Sequence, residues 1–149
     1  ARGLAVDQSA KALEVARRNA ENLQLTDRVR FCRSDWCSEI STERFDLIVS
    51  NPPYIHPNVW KGLSPEVHQE PKSALTDDKD GLSHYAILAH QVHDFLAAEG
   101  RLLFEIGFDQ GEAVAQILRL EGYRDIAILE DLDHRPRVVS CWARAEKTN

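Results

Sequence analysis

The sequence predicts an α/β fold, a mostly parallel sheet closed at its end by an antiparallel hairpin. Three observations predict it. Short strand-like apolar runs alternate with segments of helical period along the chain. The run Phe45-Asp46-Leu47-Ile48-Val49-Ser50 is nearly continuous in apolar residues, the pattern of a strand covered on both faces. Only the turn 131–136 joins the last two strand-like segments, so they pair as a hairpin rather than through a crossover.

Residues 3–6 read as the end of a strand. Residues 9–23 read as a helix with Ser9 as N-cap and with Ala12, Leu13, Ala16, Ala20 and Leu23 near one face. Segments 29–33 and 45–50 are strands. The irregular stretch 51–80 then carries five of the six prolines, and loops of that length in compact domains are usually functional. Residues 82–98 read as a helix that sets Tyr85, Leu88, Ala89, Val92 and Leu96 on one side and stops at Gly100. Strand 101–106, helix 110–120 ended by Gly122, and strands 125–130 and 137–144 complete the order. No repeat or linker interrupts it, so residues 1–149 are expected to form a single domain.

Composition bounds the function. With 149 residues, 43% hydrophobic and 28% charged, the chain suits one ordinary folded domain rather than a disordered or low-complexity segment. No apolar run approaches the ~20 residues that span a bilayer, and no signal-peptide pattern opens the chain, so no membrane partner is expected. Eighteen Lys and Arg against 24 Asp and Glu give −6, which lends no support to a non-specific grip on nucleic acid. Cys32, Cys37 and Cys141 form no C-x-x-C pair, which suggests neither a disulfide framework nor a zinc site; a cytoplasmic location is the default. With no Met, the chain is expected to be part of something longer.

The chemistry concentrates after the most strand-like segment, where open α/β sheets bind ligands. In Asn51-Pro52-Pro53-Tyr54, each proline fixes its own φ and extends the residue before it. A stiff Asn beside a stiff backbone carbonyl accepts both N–H groups of a planar amide or amine, and Tyr54 stacks on its face. Such acceptors orient a delocalised nitrogen lone pair toward a carbon electrophile. A rigid turn with a half-buried tyrosine is the plainer alternative. Asp7, at the end of the first strand, is placed to bind the two hydroxyls of a ribose or to cap the following helix. Asp35 and Trp36, after the second strand, offer an acceptor and a flat ring suited to an adenine, or a capping Asp and a core Trp. His90 and His93 stand at i, i+3, but no third ligand is near, so solvated histidines are expected and no metal site. The turn His134-Arg135-Pro136-Arg137 is expected to be a solvated hairpin tip and Cys32 a small core residue.

These residues fall into a known pattern. Ala5-Val6-Asp7, Ser9, Ala12-Leu13, Asn19-Ala20, Ser34-Asp35-Trp36 and Asn51-Pro52-Pro53-Tyr54-Ile55 resemble the S-adenosylmethionine-dependent methyltransferases of the seven-stranded, Rossmann-like class I. Glu70-Pro71, Ala74-Leu75, Asp80-Gly81-Leu82 and Tyr85 are similar to the signature of the protein glutamine-N5 methyltransferases, the HemK/PrmC family. The segments Glu105-Ile106-Gly107, Gln110-Gly111-Glu112-Ala113-Val114, Gly122-Tyr123, Asp131 and Arg137-Val138 look like its release-factor branch. The resemblance covers essentially the whole chain.

It implies that S-adenosyl-L-methionine is the cofactor, with Asp7 on its ribose and Trp36 beside its adenine. Asn51 would touch both cofactor and substrate, while Pro52, Pro53 and Tyr54 would grip the glutamine of a Gly-Gly-Gln tripeptide in a peptide chain release factor. No metal is implied, and no role follows for Glu70-Pro71. The family's first strand and glycine-rich loop lie N-terminal to the position of Asp7, with a helical recognition domain further upstream. This chain is therefore expected to lack the strand between segments 3–6 and 45–50. Two other readings stand beside this one. A nucleic-acid adenine-N6 or guanine-N2 methyltransferase would require a basic groove, and a non-catalytic interaction module would carry an incomplete cofactor site.

Overall fold

The computed structural model describes residues 1–55, 71–76 and 80–144. Glu70 and most of the long proline-bearing loop lie outside the described residues. The chain divides into two compact units, Ala1–Glu43 and Arg44–Asn149.

In the first unit, β1 (Gly3–Asp7), α1 (Ala10–Asn22) and β2 (Val29–Arg33) make a β-α-β turn with the strands parallel, Gly3 opposite Val29 and Asp7 opposite Arg33. Ser9 starts the helix as expected. Its backbone is extended, and its Oγ accepts from the Ala12 N–H at 3.2 Å. Leu13 and Ala20 form the buried side of α1. Ala12 and Leu23, expected on that face, are exposed. Leu23 is already the C-cap, where the backbone leaves the helical path and carries its side chain off the stripe.

The second unit holds β3 (Phe45–Ser50), α2 (Ser83–Gln91), β4 (Leu96–Glu105), α3 (Gly111–Leu120), β5 (Arg124–Glu130) and β6 (Pro136–Trp142). Its sheet runs in the order β3-β4-β6-β5. Strands β3 and β4 are parallel, and β6 is antiparallel to both of its neighbours. The closing hairpin is thus present, and its second strand is inserted between β4 and β5. Leu102, Phe104 and Ile106 are buried with Tyr85, Leu88, Ala89 and Val92 and with Val114, Ala115 and Leu118 of α3, which packs on β5, β6 and α2. This is the main core.

Two expectations fail here. The helix expected over 82–98 ends at Gln91 and tightens into a 3-10 turn over Val92–Phe95, and Leu96 is already extended. The apolar stripe from Tyr85 to Leu96 is buried as expected, but its last member belongs to β4. Gly100 stops no helix. It sits where a Cβ would lie 2.9 Å from the carbonyl oxygens of both Ala97 and Phe45, so it permits a close backbone approach at the irregular start of the β3–β4 pairing. Nor is β3 covered on both faces, because Leu47 and Val49 are 54% and 66% exposed and the strand lies at the edge of its sheet. Among the described residues, no helix is long and apolar enough to cross a membrane.

Candidate active site

The candidate residues gather at the carboxyl ends of parallel strands, one group in each unit. In the first unit, Asp7 ends β1 and is exposed. Its Oδ1 accepts from the Ser9 N–H at 2.7 Å. Asp7 therefore helps shape the helix entry, as the capping alternative holds, but the N-cap proper is Ser9. Its Oδ2 makes no hydrogen bond among the described residues and remains free to accept from hydroxyl groups. The strand end is held firmly, because the Ser34 N–H donates to the Asp7 carbonyl at 3.2 Å and Arg33 Nε donates to the Gln8 carbonyl at 3.0 Å.

Beside Asp7, buried Ser34 closes the following turn by accepting from the Glu39 N–H at 3.0 Å. Asp35 is exposed, and its carbonyl accepts from the Ser38 N–H at 3.1 Å. Trp36 is half-buried with φ at +51°, a left-handed conformation uncommon for a bulky aromatic residue. It is not the core tryptophan of the plainer alternative. A carboxylate oxygen without a partner among the described residues and a half-buried indole thus stand at adjacent strand ends. Cys32, expected in the core, is only half-buried, with Sγ 3.7 Å from the Glu39 carbonyl.

In the second unit, Asn51 follows β3 exposed, Pro52 is fully buried, and Pro53 and Tyr54 are half-buried. The loop is bolted in place from outside. The Pro53 carbonyl faces His84 Nδ1 at 3.3 Å, and because a carbonyl only accepts, that nitrogen carries the hydrogen. The Tyr54 carbonyl accepts from Gln110 Nε2 at 3.2 Å, and the Ile55 N–H donates to the Leu75 carbonyl at 2.8 Å. The Pro52 carbonyl has no partner among the described residues, nor has the Asn51 side chain. The exposed Asn51 side chain thus stands open beside tied Pro53 and Tyr54 carbonyls, whereas the Pro52 carbonyl belongs to a fully buried residue.

Other elements of the same unit are held by contacts of their own. Tyr85, fully buried, donates to the Glu105 carbonyl at 2.8 Å and meets Phe104 edge to face at 5.5 Å. Burial holds its phenol neutral, with Tyr54 and Glu105 adding to the upward shift. Arg137 is not part of a solvated tip. Half-buried, it donates from Nε to Asp131 Oδ2 at 3.2 Å and from Nη1 to the Ile106 carbonyl at 3.3 Å, while His134 and Arg135 are exposed. Asp131 also accepts from the Arg135 and Asp133 N–H groups, and these bonds, with that to Arg137, lower its pKa. His90 lies 3.5 Å from Glu121, whereas His93 is half-buried in the 3-10 turn, so the two do not form a solvated pair on one helix. Burial lowers the pKa of His93, with Arg144 adding to the shift.

Gln110, Gly81 and His84 are the positions whose use a reading by composition does not reveal. Each acts through a backbone carbonyl, which leaves no trace in side-chain pattern.

A parallel β-α-β unit with an acidic strand end, and a second sheet whose final strand is inserted antiparallel, define a class I methyltransferase-like α/β fold. A methyltransferase from Pyrococcus furiosus shares it, with a TM-score of 0.70 over 96% of this chain and 63% of that one at 17% identity, a likeness of fold alone. The description of the methyltransferase small domain matches residues 2–77. The chain belongs to that family. It is 42% identical over 140 residues to the release factor glutamine methyltransferase of Caulobacter vibrioides, covering 93% of this chain and 48% of that protein. It is 44% identical over 141 residues to the protein of the same name from Cereibacter sphaeroides, covering 94% and 50%. The chain spans about half the length of these curated relatives.

Proposed function

We propose that this chain is the catalytic part of a cytoplasmic enzyme that methylates the side-chain nitrogen of the glutamine in the Gly-Gly-Gln segment of a release factor. The observation that carries the reading is the 51–54 loop, where the exposed Asn51 side chain has no partner among the described residues while the Pro53 and Tyr54 carbonyls are tied. The named relatives support the choice of glutamine.

In this reading Asn51 and the Pro52 carbonyl accept the two amide hydrogens, and Tyr54 lies on the amide plane. Asp7 holds the ribose of S-adenosyl-L-methionine, and Asp35 and Trp36 flank its adenine. When bound, that cofactor supplies a methyl carbon attached to positively charged sulfur. The amide nitrogen held by these acceptors would bond to that carbon as its bond to sulfur broke, the electron pair leaving with sulfur. The excess proton on nitrogen would pass to water or a nearby acceptor. Acceptors fixed in advance favour the positive charge that grows on nitrogen. Both units would then belong to one partial, seven-stranded methyltransferase domain, with an additional strand and glycine-rich loop between β1 and β3. The free edge of β3 and its exposed Leu47 and Val49 are consistent with that arrangement.

The test is transfer of labelled methyl from S-adenosyl-L-methionine by the full-length protein. Label is expected on a release-factor domain, to vanish when its Gly-Gly-Gln glutamine is changed to Ala, and to be absent from adenine-containing RNA and DNA. Label on the nucleic acid instead would overturn the assignment.

A further inference from the structure

We propose that Gln110 is a positioning residue for methyl transfer, the side chain that fixes the Tyr54 end of the substrate loop; this rests on the reading of that loop given above. Gln110 Nε2 donates to the carbonyls of Tyr54 and Gly81, each at 3.2 Å, and Oε1 accepts from the Gly107 N–H at 2.9 Å. Both amide hydrogens face groups that only accept, and the oxygen faces one that only donates. The carboxamide orientation is therefore dictated by its partners. One side chain ties the loop after β3, the turn before α2 and the turn after β4.

Two independent features point the same way. Gln110 is the N-cap of α3, yet its side chain makes no capping bond. A residue at that position ordinarily serves the helix's free N–H groups. Here the side chain reaches across to the loop instead, a departure from local helix chemistry of the kind expected at functional sites. Gly81 makes room for the contact. Its φ is +76°, and a Cβ there would lie 2.4 Å from the Tyr54 carbonyl oxygen and 2.8 Å from Gln110 Nε2. Only glycine lets these groups meet. Because the bond fixes a backbone carbonyl next to the stacking ring, its loss shifts the ring relative to the bound amide and leaves the cofactor residues of the first unit untouched.

The experiment compares wild type, Gln110→Glu and Gln110→Met in the full-length protein. The first keeps length and the acceptor for Gly107 but sets a carboxylate against two carbonyls. The second keeps length and removes every polar contact. In both, kcat for methylation of the release-factor domain should fall about 10- to 100-fold, the scale of a misplaced reacting group. Affinity for S-adenosyl-L-methionine, measured by calorimetry, should stay within about twofold, because Asp7, Asp35 and Trp36, which hold its ribose and adenine in that reading, are elsewhere. A purely structural role would lower the melting temperature and leave kcat per folded molecule unchanged. Turnover within about threefold of wild type in either folded variant overturns the proposal, as does failure of both variants to fold. If wild type methylates a different acceptor, the reading of the substrate fails while the variant-to-wild-type ratio on that acceptor still decides the role of Gln110. No transfer by wild type to any acceptor overturns both.

Discussion

Asn51 and Asp7 occupy equivalent places, each exposed at or just beyond the carboxyl end of a parallel strand, but their surroundings separate their roles. Asp7 gives one oxygen to the Ser9 N–H and keeps the other, whereas the side chain of Asn51 has no partner among the described residues. A side chain held only by its own backbone contributes little to folding, so Asn51→Ala should leave the melting temperature nearly unchanged. It should lower methyl-transfer turnover by about two to three orders of magnitude, the scale of losing one preorganised polar contact in a catalytic site. Asp7→Ala should weaken S-adenosyl-L-methionine binding about 10- to 100-fold, the range for hydrogen bonds to a charged group, and leave affinity for the release factor nearly constant. Calorimetric titration of each variant with both ligands separates the two roles. Unchanged cofactor affinity with a lowered melt would reduce Asp7 to a shaper of the helix entry. These residues were legible in the sequence because they combine side-chain chemistry with a position at a strand end. Gln110 was legible only as part of a family resemblance, because its partners are backbone groups and any sequence supplies those.

Among the elements, helix α1 and the strands were read nearly to the residue, while the segment after α2 was not. Its apolar stripe runs unbroken from Tyr85 to Leu96, and burial alone cannot tell a helix from the strand that continues its buried side. The β5–β6 hairpin was legible as a hairpin, since a short polar turn leaves no other connection. Its internal clamp was not. Asp131 accepts from the Arg135 and Asp133 N–H groups and from Arg137, so one carboxylate organises the turn and holds Arg137 against the Ile106 carbonyl. The Arg135 N–H, followed by Arg137 and the Asp133 N–H, keeps its carboxyl below the usual carboxylate range. A carboxyl whose pKa is lowered by folding contributes order at neutral pH, and that order is lost as the pH falls through its lowered value. The Arg135 and Asp133 amide proton shifts, followed by NMR, should therefore stay native below about pH 4, where free carboxyls protonate, and change only in stronger acid. Asp131→Asn should abolish that transition. A transition in the ordinary carboxylate range would show that the clamp is not formed in solution.

For the whole molecule, the decisive feature is the pair of sheets. Strand β1 pairs only with β2, and β3 pairs only with β4, so each has one edge without a partner among the described residues. The pattern of Phe45–Ser50, that of a strand covered on both faces, is at odds with the exposed Leu47 and Val49, and only the family resemblance implied a further strand beside it. What the pattern could not supply is the neighbour itself. Unpaired ladder groups that are shielded from water cost ~1–3 kcal/mol each, against a net stability of about 5–15 kcal/mol for an ordinary domain. An exposed apolar edge also invites pairing with another chain. Residues 1–149 expressed alone should therefore melt at low temperature, associate with rising concentration and bind S-adenosyl-L-methionine poorly. The full-length protein, by supplying partners for these edges, should show a cooperative melt and cofactor binding together. Light scattering, thermal melts and calorimetry on the two proteins decide the matter. A cooperative melt with micromolar cofactor affinity for residues 1–149 alone would show that the two sheets need no strand between them.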